Sequence, residues 1–138
     1  MQPKEISGYR VVRRLGAGGM GEVWKATDQV LGRTVALKLL KDGLTDEIGF
    51  TERFRNEARL SAALTHGNVA QVYDYGEDDG TAYLVMEFLE GETLGEAIQN
   101  RGPLPPLIAA QVADSVAHAL EVVHAAGLLH RDIKPDNI

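Results

Sequence analysis

The sequence predicts an α+β protein in which a five-stranded antiparallel sheet with one helix precedes a mainly helical segment. Residues 9–41 and 69–88 contain short runs of branched and aromatic residues separated by glycine-containing turns, a pattern typical of strands. Residues 51–64 contain neither glycine nor proline, and their apolar side chains recur at the spacing of a helix. Beyond residue 93, apolar residues again recur at the spacing of a helix.

Composition and charge exclude several classes of protein. The 138 residues are 44% hydrophobic, which is enough for a globular domain with its own core. A net charge of -6 argues against a nucleic-acid partner, because such partners require a basic surface. The absence of cysteine excludes disulfides and thiolate metal sites. No apolar run approaches the roughly 18 residues of a membrane helix, and no signal peptide is evident, so we expect a cytoplasmic chain without a membrane segment.

The first three strands are predicted from residues 9 to 40. Tyr9 to Leu15 and Glu22 to Thr27 are expected to form a hairpin, with Gly16 to Gly21 as its turn. The third strand is expected from Thr34 to Leu40. The sheet therefore begins with a hairpin that has a glycine-rich tip.

Two kinds of side chain alternate along the third strand. Val35, Leu37 and Leu39 should share one face, and Ala36 and Lys38 the other, because successive side chains of a strand point to opposite sides. An ammonium group beside a glycine hairpin can reach phosphate oxygens as a point charge. The alternative for Lys38 is a solvated lysine at a strand edge, since most lysines are exposed.

The glycine turn has the pattern GxGxxG. Glycines permit positive φ and let backbone N–H groups approach phosphate oxygens closely. The pattern alone also fits a flexible hairpin tip or the turn of a dinucleotide-binding βαβ unit. The βαβ unit requires a helix directly after the glycines, whereas a strand follows here, so the pattern favours a loop folded over phosphates.

The predicted helix of residues 51–64 carries a carboxylate on its apolar stripe. Phe54, Ala58 and Ser61 fall near one face, and Glu57 lies on the same stripe. A carboxylate on an inward face is costly unless it has a partner. Glu57 is therefore a candidate for an ion pair, although a merely solvated Glu57 remains open.

The second half of the chain is predicted to contain two more strands and two helices. The strands run from Val69 to Tyr75 and from Thr81 to Phe88, around a turn at Gly76 to Gly80. Thr93 to Glu96 has the spacing of a capping box, which opens a short helix. A longer helix is expected from Pro106 to about Ala126.

The segment from His130 to Asn137 is unlike a structural core. It combines an imidazole, an acid, two bases and an amide, and Pro135 prevents it from continuing a helix. Charged side chains resist burial without partners. The fixed spacing of Asp132 and Asn137 indicates a shared ligand.

Three motifs occur here in the order in which protein kinases have them. They are the GxGxxG turn, Val35 to Lys38 as a VAIK-like strand with one change at Leu37, and HRDxKxxN from His130 to Asn137. The chain resembles bacterial-type serine/threonine protein kinases from about Tyr9 to Ile138. The resemblance implies a small lobe over residues 9–88 after an extension of residues 1–8. Residues 89–138 would be the hinge and a partial large lobe that ends in the catalytic loop.

The resemblance also implies which residues bind ATP. Lys38 would contact the phosphates and be held by Glu57, and Met86 would line the back of the adenine pocket. The full implied set is Leu15, Gly16, Ala17, Gly18, Gly19, Met20, Gly21, Glu22, Val23, Ala36, Lys38, Glu57, Met86, Glu87 and Leu89.

Catalytic roles follow from the same resemblance. Asp132 would accept the proton of the substrate hydroxyl, Lys134 would neutralise the transferred phosphoryl group, and Asn137 would hold Mg²⁺. The implied partners are ATP and, for the full-length form, a protein substrate with Ser or Thr. Apart from the resemblance, a homodimer through the small lobe is kept open.

Two functions remain open at the level of sequence. The first is part of a kinase that transfers the γ-phosphoryl group of ATP to protein Ser/Thr hydroxyls. The second is a catalytically inactive remnant that binds ATP or another protein. The printed chain stops before the Asp-Phe-Gly segment and activation loop of the resembled family, so by itself it is expected to be inactive.

Overall fold

The computed structural model describes residues 4–18, 21–40, 50–130 and 133–138. The chain divides into two compact units. The first consists of Met1–Ala63 and Ala70–Leu89, and the second of Leu64–Val69 and Glu90–Ile138.

One antiparallel sheet and one helix form the first unit. The six strands lie in the order β1-β2-β3-β4-β6-β5, and the five predicted strands are among them. This confirms the predicted α+β small-lobe architecture. The elements are β1 (Glu5–Ile6), β2 (Tyr9–Gly18), β3 (Gly21–Asp28), β4 (Thr34–Leu40), α1 (Phe50–Ala62), β5 (Val72–Asp78) and β6 (Thr81–Glu87).

The alternation predicted for β4 decides where the main core lies. Val35, Leu37 and Leu39 are buried together on one face, against Trp24 of β3 and Val85 of β6. Burying a side chain of this size contributes about 1.5–3 kcal/mol. The central strand is therefore fixed in register by its apolar face.

A short first strand was not predicted from the sequence. Ile6 in β1 is only 8% exposed and belongs to the main core. Ser7 and Gly8 form the turn into β2 with φ values of 45° and 87°. The backbone N–H of Ser7 donates to Asp78 Oδ2 at 2.7 Å, which attaches this turn to the end of β5.

The two predicted glycine turns were too long. Gly16, Ala17 and Gly18 pair with β3 as part of β2. Gly76 lies inside β5 opposite Tyr83, and the turn contracts to residues 79 and 80. The Tyr83 ring occupies the space of a Cβ at position 76, so glycine serves close packing there and does not mark a turn. Strand β5 also begins three residues later than predicted.

Helix α1 packs on the face of the sheet opposite the main core. Ala58 of α1 is buried against Val72 of β5 and Leu84 of β6. The rings of Phe54 and Tyr75 meet at the edge of this cluster, with centroids 5.8 Å apart. The apolar stripe predicted for this helix is thus the surface that contacts the sheet.

An ion pair supports the same contact. Arg55 Nη2 lies 2.9 Å from Glu77 Oε1, and the Tyr75 hydroxyl donates to that oxygen at 3.1 Å. The hydrogen bond from Arg55 holds the pKa of Glu77 below its ordinary value. The ion pair of Arg55 and Glu77 therefore stabilises the fold at pH values above the pKa of Glu77 in the unfolded chain. This stabilisation is lost as pH falls through the lower pKa of Glu77 in the folded protein.

The second unit contains α2 (Leu94–Arg101), α3 (Pro106–Ala125) and a 3₁₀ turn (Pro135–Asn137). The predicted capping box is confirmed. Thr93 Oγ1 accepts from the Glu96 N–H at 3.1 Å, and Glu96 Oε2 accepts from the Thr93 N–H at 2.8 Å. These two bonds satisfy backbone donors that the first turn of a helix leaves without partners.

Helix α3 exposes much of its apolar surface. In its most apolar 18-residue window the mean hydropathy is 1.2, and 6% of that window is buried. By length and composition α3 could cross a membrane. A single helix of this kind is weak evidence for a membrane span, since core helices of soluble proteins meet the same criteria. It is the single such helix among the described residues.

Candidate functional site

The pairing of three strands brings four of the predicted nucleotide-binding residues to one face of the sheet. Lys38 of β4 lies opposite Val23 of β3, and Ala36 of β4 lies opposite Met86 of β6. Directly opposed residues of an antiparallel pair point to the same side. This face also carries the ammonium of Lys25, which lies opposite Ala36, and it is the face that does not carry the main core.

Lys38 lies on the same side of the sheet as α1. It is half-buried and opposes Leu84, which packs against Ala58 of α1. Glu57 lies in the turn of α1 just before Ala58, but its side chain is outside the described part of the structure. The Lys38–Glu57 ion pair consequently stays a prediction.

The glycine hairpin is formed by the end of β2 and the start of β3. Gly16 pairs with Val23, and Gly18 pairs with Gly21, while predicted residues Gly19 and Met20 lie outside the described residues. A Cβ at Gly21 would overlap the backbone carbonyl of Leu39. Glycine at this position therefore allows β3 to lie close to β4.

Leu15 and Glu22 are both among the predicted nucleotide-binding residues. Leu15 is 38% exposed near the end of β2. Glu22 instead contacts Arg14 Nη1 at 3.3 Å and accepts from the buried Trp24 indole at 3.2 Å. Any contact of Glu22 with a nucleotide would thus come from its backbone.

The end of β6 leads into the predicted hinge. The N–H of Glu87 donates to the carbonyl of Gln71 at 2.8 Å, which fixes the backbone of Glu87. Leu89 follows with 62% of its surface exposed. Between them, Phe88 lies beneath the ammonium of Lys25, 4.8 Å from the ring centroid. Contacts within the first unit thus fix Glu87 and Phe88, while the side chain of Leu89 is largely exposed to solvent.

The second unit brings Lys134 and Asn137 together. Lys134 precedes the 3₁₀ turn and Asn137 is its last residue, and the Asn137 N–H donates to the Lys134 carbonyl at 2.9 Å. The N–H of Leu94 donates to the carbonyl of Ile138 at 2.7 Å, which ties this turn to the start of α2. Asp132, the predicted base, lies outside the described residues.

A close contact between α2 and the 3₁₀ turn supports the position of Asn137. A Cβ on Gly95 would overlap a carboxylate oxygen of Asp136. The missing side chain at Gly95 lets the residue next to Asn137 approach the first turn of the helix. Negative charge is favoured there by the helix dipole.

The chemistry of these residues fits the predicted ligands. A sheet face that combines apolar side chains with the half-buried ammonium of Lys38 suits a planar base attached to phosphates. The amide oxygen of Asn137 is the kind of ligand that Mg²⁺ accepts. Within the described ranges, no group of three His, Asp or Glu side chains could hold a metal ion, so a metal at Asn137 would need further oxygen ligands.

Comparison with known families decides the assignment. A family model described as "Protein kinase domain" matches residues 9–138. The chain belongs to the protein kinase domain family. The resemblance stated from the motifs is thereby confirmed.

Named relatives in this family are bacterial. The chain is 47% identical over 135 residues to serine/threonine-protein kinase PknA of Mycobacterium tuberculosis, covering 94% of this chain and 31% of that protein. It is 43% identical to serine/threonine-protein kinase PrkC of Bacillus subtilis, covering 98% of this chain and 21% of that protein. The chain therefore spans a third or less of these two curated relatives.

A solved structure shares the fold. The kinase domain of PknI from Mycobacterium tuberculosis superimposes with a TM-score of 0.88 at 33% identity, covering 99% of this chain and 56% of that one. This chain thus corresponds to somewhat more than half of a kinase domain.

Sequence reasoning missed Gln71, Lys25 and the pair formed by Gly95 and Asp136. None of them is a position that a motif specifies, and each acts through a residue distant in sequence. The one available signal was Gly95 inside a capped helix, since glycine there costs about 1 kcal/mol relative to alanine and needs a packing reason.

The substitution Gly95→Ala is expected to stabilise the protein by less than the roughly 1 kcal/mol that alanine gains over glycine in a helix. The Asp136 carboxylate, at the end of an exposed and flexible side chain, must rotate away from the new Cβ, which offsets part of this gain. Urea unfolding measures the effect.

Two further variants control this experiment. Asp136→Ala in the Gly95→Ala background should allow the full stabilisation by alanine, because it removes the carboxylate that must otherwise rotate away. Gly67→Ala, whose Cβ would meet open space, should have little effect. A Gly95→Ala protein that shows the same gain in stability with and without Asp136→Ala would contradict the packing described here.

Proposed function

We propose that this chain is part of a serine/threonine protein kinase that transfers the γ-phosphoryl group of ATP to Ser or Thr hydroxyls of protein substrates. The observation that carries the proposal is the shared face of Val23, Ala36, Lys38 and Met86, in a chain that belongs to the kinase family. Fold membership alone would be weak support, because folds host many functions.

Phosphate binding is assigned to the first unit. Lys38 is half-buried, so water screens its charge less than that of an exposed lysine. Glu57 is proposed to hold the Lys38 ammonium toward the phosphates. The glycine hairpin, residues 16–21, would supply backbone N–H groups to the phosphate oxygens.

Adenine binding is assigned to the same face nearer the hinge. Val23 and Ala36 would cover the base, and Met86 would close the pocket behind it. The N–H of Glu87 is engaged by Gln71, so its carbonyl is the group proposed to accept from the adenine amino group. The backbone of Leu89 would supply the second hydrogen bond.

Transfer is assigned to the second unit. Asp132 would accept the proton as the substrate hydroxyl oxygen forms a bond to the γ-phosphorus, and the bond from that phosphorus to the β,γ-bridging oxygen breaks to leave ADP. Lys134 would stabilise charge on the transferred group, and Asn137 would hold Mg²⁺. Mg²⁺, when bound, would supply positive charge that offsets the negative charge of the phosphates.

The remaining proposals concern location and partners. We place the chain in the cytoplasm, where ATP and Mg²⁺ are abundant, and expect no nucleic-acid partner because the net charge is -6. Protein substrates with Ser or Thr are the proposed acceptors.

Substitution of the proposed base tests this function. In the natural gene product, Asp132→Asn should lower phosphotransfer to protein Ser or Thr by about 100-fold or more, because a positioned general base contributes about 10²–10⁴. Transfer from labelled ATP followed by phosphoamino-acid analysis measures it.

A matched control is Asp114→Asn, an exposed aspartate on α3, which should leave transfer unchanged. Equal loss in both variants would indicate a general structural effect. Absence of transfer by the unsubstituted gene product would contradict the kinase function and favour an inactive binding module.

We also propose that two copies associate through the first unit. Val30 and Leu31, in the turn between β3 and β4, are 88% and 66% exposed. Asp28 Oδ1 accepts from the backbone N–H of both residues, at 2.9 and 3.0 Å. Because the turn is already ordered, presenting these two apolar side chains to a partner costs little conformational entropy.

The substitution Leu31→Asp should weaken this association about tenfold or more, since it would place an unpaired charge in the interface. Sedimentation velocity over a concentration series measures it, with Gln29→Asp, an exposed neighbour, as the charge-matched control. A parent protein that stays monomeric throughout the series would contradict the proposal.

A further inference from the structure

Gln71 stands between the end of α1 and the start of β5, and its backbone contacts Glu87. The Gln71 carbonyl accepts from the Glu87 N–H at 2.8 Å, and the Gln71 N–H donates to Glu87 Oε2 at 3.1 Å. These bonds continue the pairing of β5 with β6 beyond Val72 and Met86. The backbone of Gln71 thus fixes the residue at which the hinge begins.

The side chain of Gln71 extends in the other direction. Its Nε2 donates to the carbonyl of Ala62 at 3.2 Å and to the carbonyl of Val72 at 3.1 Å. Ala62 is the last residue of α1, where helix carbonyls lack partners within the helix. A glutamine amide nitrogen carries two N–H groups, so both of its donors are used.

The Gln71 side-chain amide connects the end of α1 to the start of β5 more directly than the backbone between them does. Residues 64–69 belong to the second unit, so the backbone leaves the first unit after α1 and returns at Ala70. The Gln71 side chain joins the two ends of that excursion within the first unit. A displacement of the last turn of α1 would pull on Gln71 and therefore on Glu87.

We propose that Gln71 is a positioning residue that couples α1 to the adenine-binding end of β6. The inference rests on the proposed function, because α1 carries Glu57 and Glu87 is the proposed backbone partner of adenine. A movement of α1, which is proposed to orient Lys38, would thus be transmitted through Gln71 to the end of β6, which is proposed to bind adenine. The side chain has no proposed contact with ATP.

The contacts that attach the middle of α1 to β5 do not involve Gln71. Arg55 pairs with Glu77 at 2.9 Å, and the Phe54 ring meets Tyr75 at 5.8 Å. These contacts hold α1 on the sheet but do not reach Glu87. A substitution at Gln71 should therefore release the end of the helix without detaching the helix.

The test compares Gln71→Glu with Gln29→Glu. Both variants add one negative charge to an otherwise similar side chain of the first unit, but only Gln71→Glu replaces N–H donors by oxygens that face the carbonyls of Ala62 and Val72. Gln29 is exposed in the turn after β3 and serves as the control. Gln71→Ala, which removes the donors without adding charge, is the second variant if Gln71→Glu does not fold.

Amide hydrogen exchange is the first measurement. Gln71→Glu should raise exchange rates about fivefold or more both in the last turn of α1 and at residues 86–89, and Gln29→Glu should raise neither. Faster exchange in α1 alone would overturn the coupling, because the hinge would then be independent of the helix end.

Binding of two partial ligands is the second measurement. Gln71→Glu should weaken adenosine about fivefold and leave inorganic tripolyphosphate unchanged, whereas a general loss of structure would weaken both. Unchanged adenosine binding would overturn the inference. If the unsubstituted protein bound neither compound, the proposed nucleotide site would fail, and hydrogen exchange would still decide the coupling.

Discussion

The pairing of β4 with β3 and β6 is the constraint on which the first unit depends. Val35, Leu37 and Leu39 enter the main core, so Ala36 and Lys38 must occupy the opposite face. A slip of one residue would move the Lys38 ammonium into an apolar interior. Burying an unpaired charge costs several kcal/mol, so the hydrophobic core and the position of the candidate phosphate ligand are fixed by the same register.

Local patterns predicted the features that depend on local chemistry. The two faces of β4 follow from the period of a strand, and the start of α2 follows from the reciprocal hydrogen bonds of Thr93 and Glu96. The motif residues could be assigned roles because their order and spacing resemble those of a family. The side chain of Glu57 and residue Asp132 lie outside the described structure, so their roles remain proposals.

Features that depend on distant partners could not be predicted. In the sequence Gly76 resembles a turn residue, whereas in the structure it lies within β5 and makes room for the ring of Tyr83. Ile6 is buried only because Ser7 and Gly8 fold it back onto β2. Gln71 has no motif around it, and its partner Glu87 is 16 residues away. Such contacts arise from tertiary pairing, which periodicity along the chain does not specify.

Binding of ATP to Lys38→Met tests the central claim most directly, because methionine keeps the length and apolar stem of Lys38 and removes the charge. A hydrogen bond to a charged group contributes about 1.5–3 kcal/mol, so calorimetric titration should show ATP binding about 10–100-fold weaker than in the parent protein. Lys4→Met, at an exposed lysine of the same unit, should bind ATP as the parent does. Equal ATP affinity in Lys38→Met and the parent protein would contradict the assignment of this sheet face to the nucleotide.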